Sequence, residues 1–260
     1  MKGVLLTMKI TVSQRNLIEG INIVSKAVSN KTTHPILSCI LVEAVGGVIK
    51  LTANDMEIGI ESYIDGTVIE EGKVALEAKL FSDLIRKLPE SEIVLQSDKE
   101  NKTTIMCEKN KHDIYGKSGN DFSSLPVVSK DKCITISQFT LKEVIKQTIF
   151  SISDNENNKL MTGELFEVSN NRLSVVSLDG HRISIRYIDL KGDNSDIKVV
   201  VPGKSLSDLS KIMNGGVDDP VNIYFSDNNI QFEFDNTKVV SRLIEGEYFR
   251  ISHMLSVDYQ

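Results

Sequence analysis

Apolar and polar positions alternate with period two in several short runs, which is the signature of half-buried strands. "VIKLTAN" and "RLSVVSL" are of this kind, as are "EIVLQS", "TTIMCE", "VNIYFS" and "IQFEFD", and Asp, Asn and Gly turns separate them. Four other segments carry a helical period. After "KITV" and "CITIS", a serine at Ser13 or Ser137 stands where an N-cap is expected, and an amphipathic helix follows. A second helix is predicted from about Lys79 and again from about Lys204.

The order strand, helix, strands, helix, strands occurs twice. "ITVSQRNLIEGI" at Ile10 lies over "ITISQFTLKEVI" at Ile134, and the same offset sets Leu41 on Leu165, Glu43 on Glu167 and Asp55 on Asp179. With one further residue of slip, "AKLFSDLIRKL" matches "GKSLSDLSKIM". An internal repeat of this length implies duplicated domains. The fold class is therefore α+β: tandem repeated domains, each with two helices packed on antiparallel sheet. The domains are expected at residues 1–126 and 132–250, with a linker at 127–131 punctuated by Pro126 just before it.

Composition narrows the function classes. Hydrophobic residues at 40% and charged residues at 25% of a 260-residue chain describe a globular protein, with room for two cores. "MKGVLLTM" is too short for a secretory core and no later run could span a bilayer, so a cytoplasmic location is expected. Cys39, Cys107 and Cys133 are odd in number and lack CxxC spacing, so they are read as reduced, buried thiols that form neither a disulfide framework nor a metal site.

The formal charge of −6 disfavours a binder that relies on a globally basic surface, so the placement of cations matters more than their sum. Lys79 and Arg86 share one face of the second helix, opposite Leu80, Phe81, Leu84, Ile85 and Leu88, and Lys204 and Lys211 repeat the pair. Lys142 and Lys146 form a further pair on the first helix of the second copy, where the first copy has Ile18 and Asn22. Lysines on an amphipathic helix ordinarily mark its solvated face. Recurrence in both copies of an acidic chain suggests a cationic helical layer suited to a polyanion held by its phosphates.

"SLDGHRIS" gathers Asp179, His181 and Ser184, the side chains of a hydrolytic triad. Neighbours on one turn cannot place an imidazole between nucleophile and carboxylate, and the first copy has Glu57 where His181 stands. No nucleophile elbow, metal-spaced histidine pair or phosphate loop occurs elsewhere, so no catalytic residue, metal or cofactor is expected. A turn whose polar groups satisfy each other remains open as the plain reading of this stretch.

The stretches "THPILSCILVEA", "TANDMEIGIE", "VALEAKLFSDLIRKLP", "NDFSSLP", "LDGHRIS", "VVVPGKSLSDL" and "RLIEGEYF" together resemble the bacterial sliding clamp family, the beta subunit of DNA polymerase III. The likeness starts at Met8 and runs in family order over almost the whole chain, implying the DNA clamp fold and the first two of three domains. Residues 251–260 would then begin the linker to a third copy, expected to follow Gln260. What the resemblance implies is a processivity factor that encircles double-stranded DNA without reading sequence. It would close as a homo-oligomeric ring, a dimer if the third domain is present and otherwise a trimer or no ring. A ring-incompetent module that engages clamp partners without encircling DNA is the alternative.

By the same resemblance Lys31, Lys79, Arg86 and Lys204 face DNA, to which the helical faces add Lys142, Lys146 and Lys211. The "LDGHRIS" turn becomes part of a hydrophobic groove for linear motifs of DNA polymerase III core, the clamp loader and repair polymerases. The matching positions are Met161, Leu178, Gly180, His181, Arg182 and Ile183, with Phe249, His253 and Met254. "EYFRISHM" lacks the family's Pro-Asp-Tyr and has His253 where arginine is usual.

Overall fold

The computed structural model describes residues 6–29, 32–155, 157–192 and 194–251. The first repeat runs β1 (Leu6–Ser13), α1 (Gln14–Val24), β2 (Cys39–Val45), β3 (Val48–Asn54), β4 (Ile58–Ile64), β5 (Gly66–Glu70), β6 (Gly72–Glu77) and α2 (Ala78–Lys87), then β7 (Glu92–Asp98), β8 (Lys102–Cys107), β9 (Asn110–Tyr115) and β10 (Lys117–Ser118). The second runs β11 (Cys133–Ser137), α3 (Gln138–Thr148), β12 (Gly163–Ser169), β13 (Arg172–Leu178), β14 (Ile183–Asp189), β15 (Ile197–Pro202) and α4 (Gly203–Ile212), then β16 (Pro220–Phe225), β17 (Asn229–Phe234) and β18 (Thr237–Arg242). Two helices per repeat on antiparallel sheet is the architecture the periodicity predicts.

Within the first repeat the strands pair in the runs β5-β1-β7-β8-β9 and β10-β6-β2-β3-β4. In the second they pair as β14-β13-β12-β15 and β18-β17-β16-β11. The chain divides into two compact units at Val127/Val128, except that Phe232–Val240, late in the chain, clusters with the first unit. That exchange has no counterpart in the hydrophobic pattern, because period-two alternation fixes which face a residue takes and not which strand it pairs with.

The helix starts follow from their caps. Ser13 Oγ accepts the Asn16 amide at 3.1 Å, and Ser137 Oγ accepts the Thr140 amide at 3.2 Å, satisfying donors that a helix start leaves orphaned. Buried Gln14 and Gln138 then tie each first helix to the end of the second: Gln14 Nε2 donates to Ile85 O at 3.1 Å, and Gln138 Oε1 accepts the Gly215 amide at 3.2 Å. Cores form behind these helices. Leu17, Ile21 and Val24 of α1 and Leu141, Val144 and Ile145 of α3 are buried.

Two expectations are corrected. Cys39 and Cys107 are buried free thiols, but Cys133, at the start of β11, is exposed. Leu80 is 49% exposed and not part of the apolar face of α2, because it follows Lys79 in the first turn, where Ala78 and Phe81 turn inward instead.

Candidate functional site

The helix faces come first. On α2, Lys79 and Arg86 are exposed, and Arg86 Nη2 donates to Asn22 Oδ1 on α1 at 2.7 Å. This bond brings the outer sides of α1 and α2 together, and exposed Arg15 on α1 and exposed Lys26 in the 3-10 turn just after it are cations the sequence reading passed over. Arg15 lies two turns before Asn22 and one turn before exposed Glu19, and Lys26 follows Asn22 by four residues. Among described residues no carboxylate lies within ion-pair distance of Lys79 or Arg86.

In the second repeat α3 and α4 pack together, and Lys146, Lys204 and Lys211 are exposed. Lys146 and Lys211 stand at the repeat positions of Asn22 and Arg86. Each pairs with an acid on its own helix, Lys146 with Glu143 at 3.5 Å and Lys211 with Asp208 at 3.0 Å. Lys142 is different. It is half-buried, and its Nζ donates to the carbonyl of Met213, the C-cap residue of α4, at 2.8 Å. A cation at a helix C-terminus satisfies an orphan carbonyl and complements the helix dipole, so this side chain is committed to holding α3 and α4 together. Lys31 lies outside the described residues.

The turn "LDGHR" is built by Asp179. Its Oδ1 accepts the amides of His181 at 3.0 Å and Arg182 at 3.1 Å, and its Oδ2 accepts from Arg182 Nε at 2.8 Å. The His181 and Arg182 amides and the Arg182 guanidinium hold the Asp179 carboxyl below the usual carboxylate range, against some desolvation. Gly180 sits at φ 90°, a conformation glycine adopts without cost. The first repeat makes the same turn. Asp55 Oδ1 accepts the amides of Glu57 at 3.0 Å and Ile58 at 2.8 Å, and Met56 takes φ 76° in place of Gly180.

The three side chains therefore assemble no triad. Asp179 is spent on its own turn, and Ser184 Oγ lies 2.6 Å from Ser151 Oγ. His181 is exposed. The Arg182 guanidinium stands 5.8 Å over the ring of Phe150, which is 56% exposed just beyond α3.

Of the expected groove residues, the fold brings four together. Leu178 belongs to a buried cluster with Leu165, Val176, Val200 and Tyr248, and Met161, Ile183 and Phe249 pack against it, half-buried. Gly180, His181 and Arg182 form the adjoining turn, exposed. His253 and Met254 lie outside the described residues. The sequence reading missed Leu160, Ile185, Ile244 and Ile251, which pack against the same cluster, and Tyr248 at its base. Tyr248 is buried, its hydroxyl donates to Val176 O at 3.4 Å, and its ring meets Phe249 edge-on at 5.6 Å. Its signal was the aromatic pair in "EYF", which only the fold carries to Leu165.

Behind the sheet the chemistry changes. Glu164 of β12 is fully buried, both carboxyl oxygens lack a partner, and burial pushes its pKa up to about 8, with Thr148 opposing slightly. Its own burial, and after that the Glu164 carboxylate, raise the Tyr248 phenol.

Among known proteins, the family described as "DNA polymerase III beta subunit, N-terminal domain" matches residues 8–126, and its "central domain" matches residues 135–249. A "Beta sliding clamp" of Staphylococcus epidermidis is 33% identical over 261 residues, covering 97% of this chain and 69% of that protein. The crystal structure of a putative DNA polymerase III beta subunit from Eubacterium rectale is 60% identical, with a TM-score of 0.94 over 97% of this chain and 68% of that one. The sliding clamp of Bacillus subtilis gives a TM-score of 0.94 at 30% identity with the same coverage. A Pseudomonas aeruginosa sliding clamp bound to griselimycin, 22% identical over 96% of this chain and 68% of that one, shares the fold with a TM-score of 0.89.

Proposed function

Since the chain belongs to the DNA polymerase III beta subunit family, we propose that it is a non-catalytic processivity factor that surrounds double-stranded DNA and tethers replication proteins to it. The observation that carries this reading is the cationic helix face in both repeats of a chain whose net charge is −6. Lys79 and Arg86 on α2, with Lys146, Lys204 and Lys211 on α3 and α4, meet phosphates without reading bases. Lys31 joins them by resemblance. Lys142 serves the interior of its repeat first.

Topological enclosure explains how weak contacts suffice. A protein threaded by its ligand keeps a high effective concentration of interchangeable phosphate contacts and can slide along them. The ring is a homo-oligomer, dimeric with a third domain, and without one the chain forms a trimer or no ring. Its partners are DNA polymerase III core, the clamp loader and repair polymerases, bound through linear motifs at the cluster around Leu178 and Ile183, in the cytoplasm.

The test is retention on circular DNA. The chain, loaded on a nicked circle, stays bound through a salt wash and is lost when the circle is linearised. Equal retention on both forms overturns enclosure. A module that binds partner peptides without encircling DNA is favoured by one observation, that the apolar cluster assembles within the second unit alone. That module would bind griselimycin and show no preference for closed circles.

A further inference from the structure

Each repeat ends in a strap that lies back on its own sheet. In the first, Phe122 packs on Cys39, Leu41 and Ala75. In the second, Tyr248 packs with Leu165 and Val200. The registers make these seats equivalent, since Leu41 pairs with Ala75 between β2 and β6 and Leu165 pairs with Val200 between β12 and β15. Three residues after each aromatic comes an aliphatic side chain, Leu125 or Ile251.

The two aliphatic ends are seated differently. Leu125 is 7% exposed and lies directly on Gly59, where any Cβ would run into its Cδ2 and stand 3.0 Å from Cδ1. Gly59 pairs with Asn54 between β3 and β4, and Ile183 pairs with Leu178 between β13 and β14, so Ile183 holds the place of Gly59. Ile251 is only partly buried. The sheet surface that Leu125 seals in the first repeat is occupied by the Ile183 side chain in the second.

We propose that Ile183 is a wedge: its side chain keeps Ile251 from sealing the sheet as Leu125 does, so that the half-buried surface of Met161, Ile183 and Phe249 over buried Leu178 stays open to a peptide ligand. Ile183 is on this view a positioning residue for the groove as well as part of its wall. The ligand class is an extended apolar peptide segment, competing for the seat that the strap would otherwise take. This rests on the groove reading given above, and the test separates the two.

The 260-residue chain is labelled at Ile, Leu and Met methyls and exposed to a soluble nitroxide. In Ile183→Gly, and in Ile183→Ala as a variant that spares the strand's backbone, broadening of the Ile251 methyl falls at least threefold toward that of Leu125 in the same molecule. Unchanged or greater broadening of Ile251, with the other second-repeat methyls unshifted, overturns the wedge. Griselimycin, bound by the similar Pseudomonas aeruginosa clamp, is the probe, followed at the Met161 methyl. Its affinity drops at least tenfold in Ile183→Gly and partly returns in Ile183→Gly/Ile251→Ala, a rescue that loss of a mere wall contact does not permit. Failure of that rescue counts against the wedge. Failure of griselimycin to bind the unaltered chain removes the groove reading while the nitroxide result still decides the wedge.

Discussion

The space between sheet and first helix is apolar in the first repeat and polar in the second. Val24, Ala27, Ile40, Ala53 and Ile60 are all fully buried. At their repeat positions stand Thr148, Ser151, Glu164, Ser177 and Ser184. The hydroxyls mostly find partners: Ser177 Oγ donates to Thr148 O at 2.6 Å, Ser151 and Ser184 meet at 2.6 Å, and Thr148 Oγ1 donates to Val144 O at 2.8 Å. Glu164 does not. On the outer face the contrast reverses at two positions, since Asn54 and Gly59 become Leu178 and Ile183. One duplicated scaffold thus carries more apolar side chains on the outer face of its second copy, with buried polar groups behind it.

The sharpest break of this contrast is at Glu164. Its folded-state pKa, raised from 4.5 to about 8, means that the folded form keeps its proton while the unfolded chain has released it. The stability is present in full below about pH 4.5 and is lost as pH rises through about 8. Glu164→Gln should therefore gain on the parent by about 4 kcal/mol between pH 5 and pH 9, by urea unfolding at both pH values. Equal stability at pH 9 would show that the carboxyl has found a partner.

Gly59→Ile imposes the second repeat's residue on the first. Overpacking against Leu125 should cost about 2 kcal/mol, read by thermal unfolding, and raise nitroxide broadening of the Leu125 methyls. Lys142→Ala gives the second repeat a helix without its cross-link to Met213 O, for a loss of about 1 kcal/mol. DNA retention should fall less with Lys142→Ala than with Lys146→Ala, measured as the salt concentration that releases the protein. The smallest effect is expected at Asp179→Ala, which frees the amides of His181 and Arg182. Faster hydrogen exchange at those two amides checks it, with the corresponding Asp55 turn as the unchanged reference.

Much of this was legible in the residues. The repeat offset, the serine caps and the helix faces follow from local rules of period and capping, and they reappear at Ser13, Ser137, Lys79 and Arg86 as expected. Part of the apolar cluster around Leu178 was legible only through resemblance. Leu178 and Ile183 lie side by side because of strand register, and Tyr248 reaches Leu165 from 83 positions away in the chain, a pairing that no local pattern encodes. Lys142 misled for a related reason. Helical spacing sets it beside Lys146, but its ammonium is taken up by a carbonyl 71 residues on. Leu80 misled because periodicity blurs over the first turn of a short helix.

The acids beside Lys146 and Lys211 have a mechanical consequence. Glu143 and Asp208 already supply each ammonium with a resident counter-ion, so under the proposed function a passing phosphate would displace a carboxylate instead of claiming an empty seat. Grip and release then differ little in energy, and a thread of DNA drawn past such side chains would meet lubrication where bare lysines would offer friction.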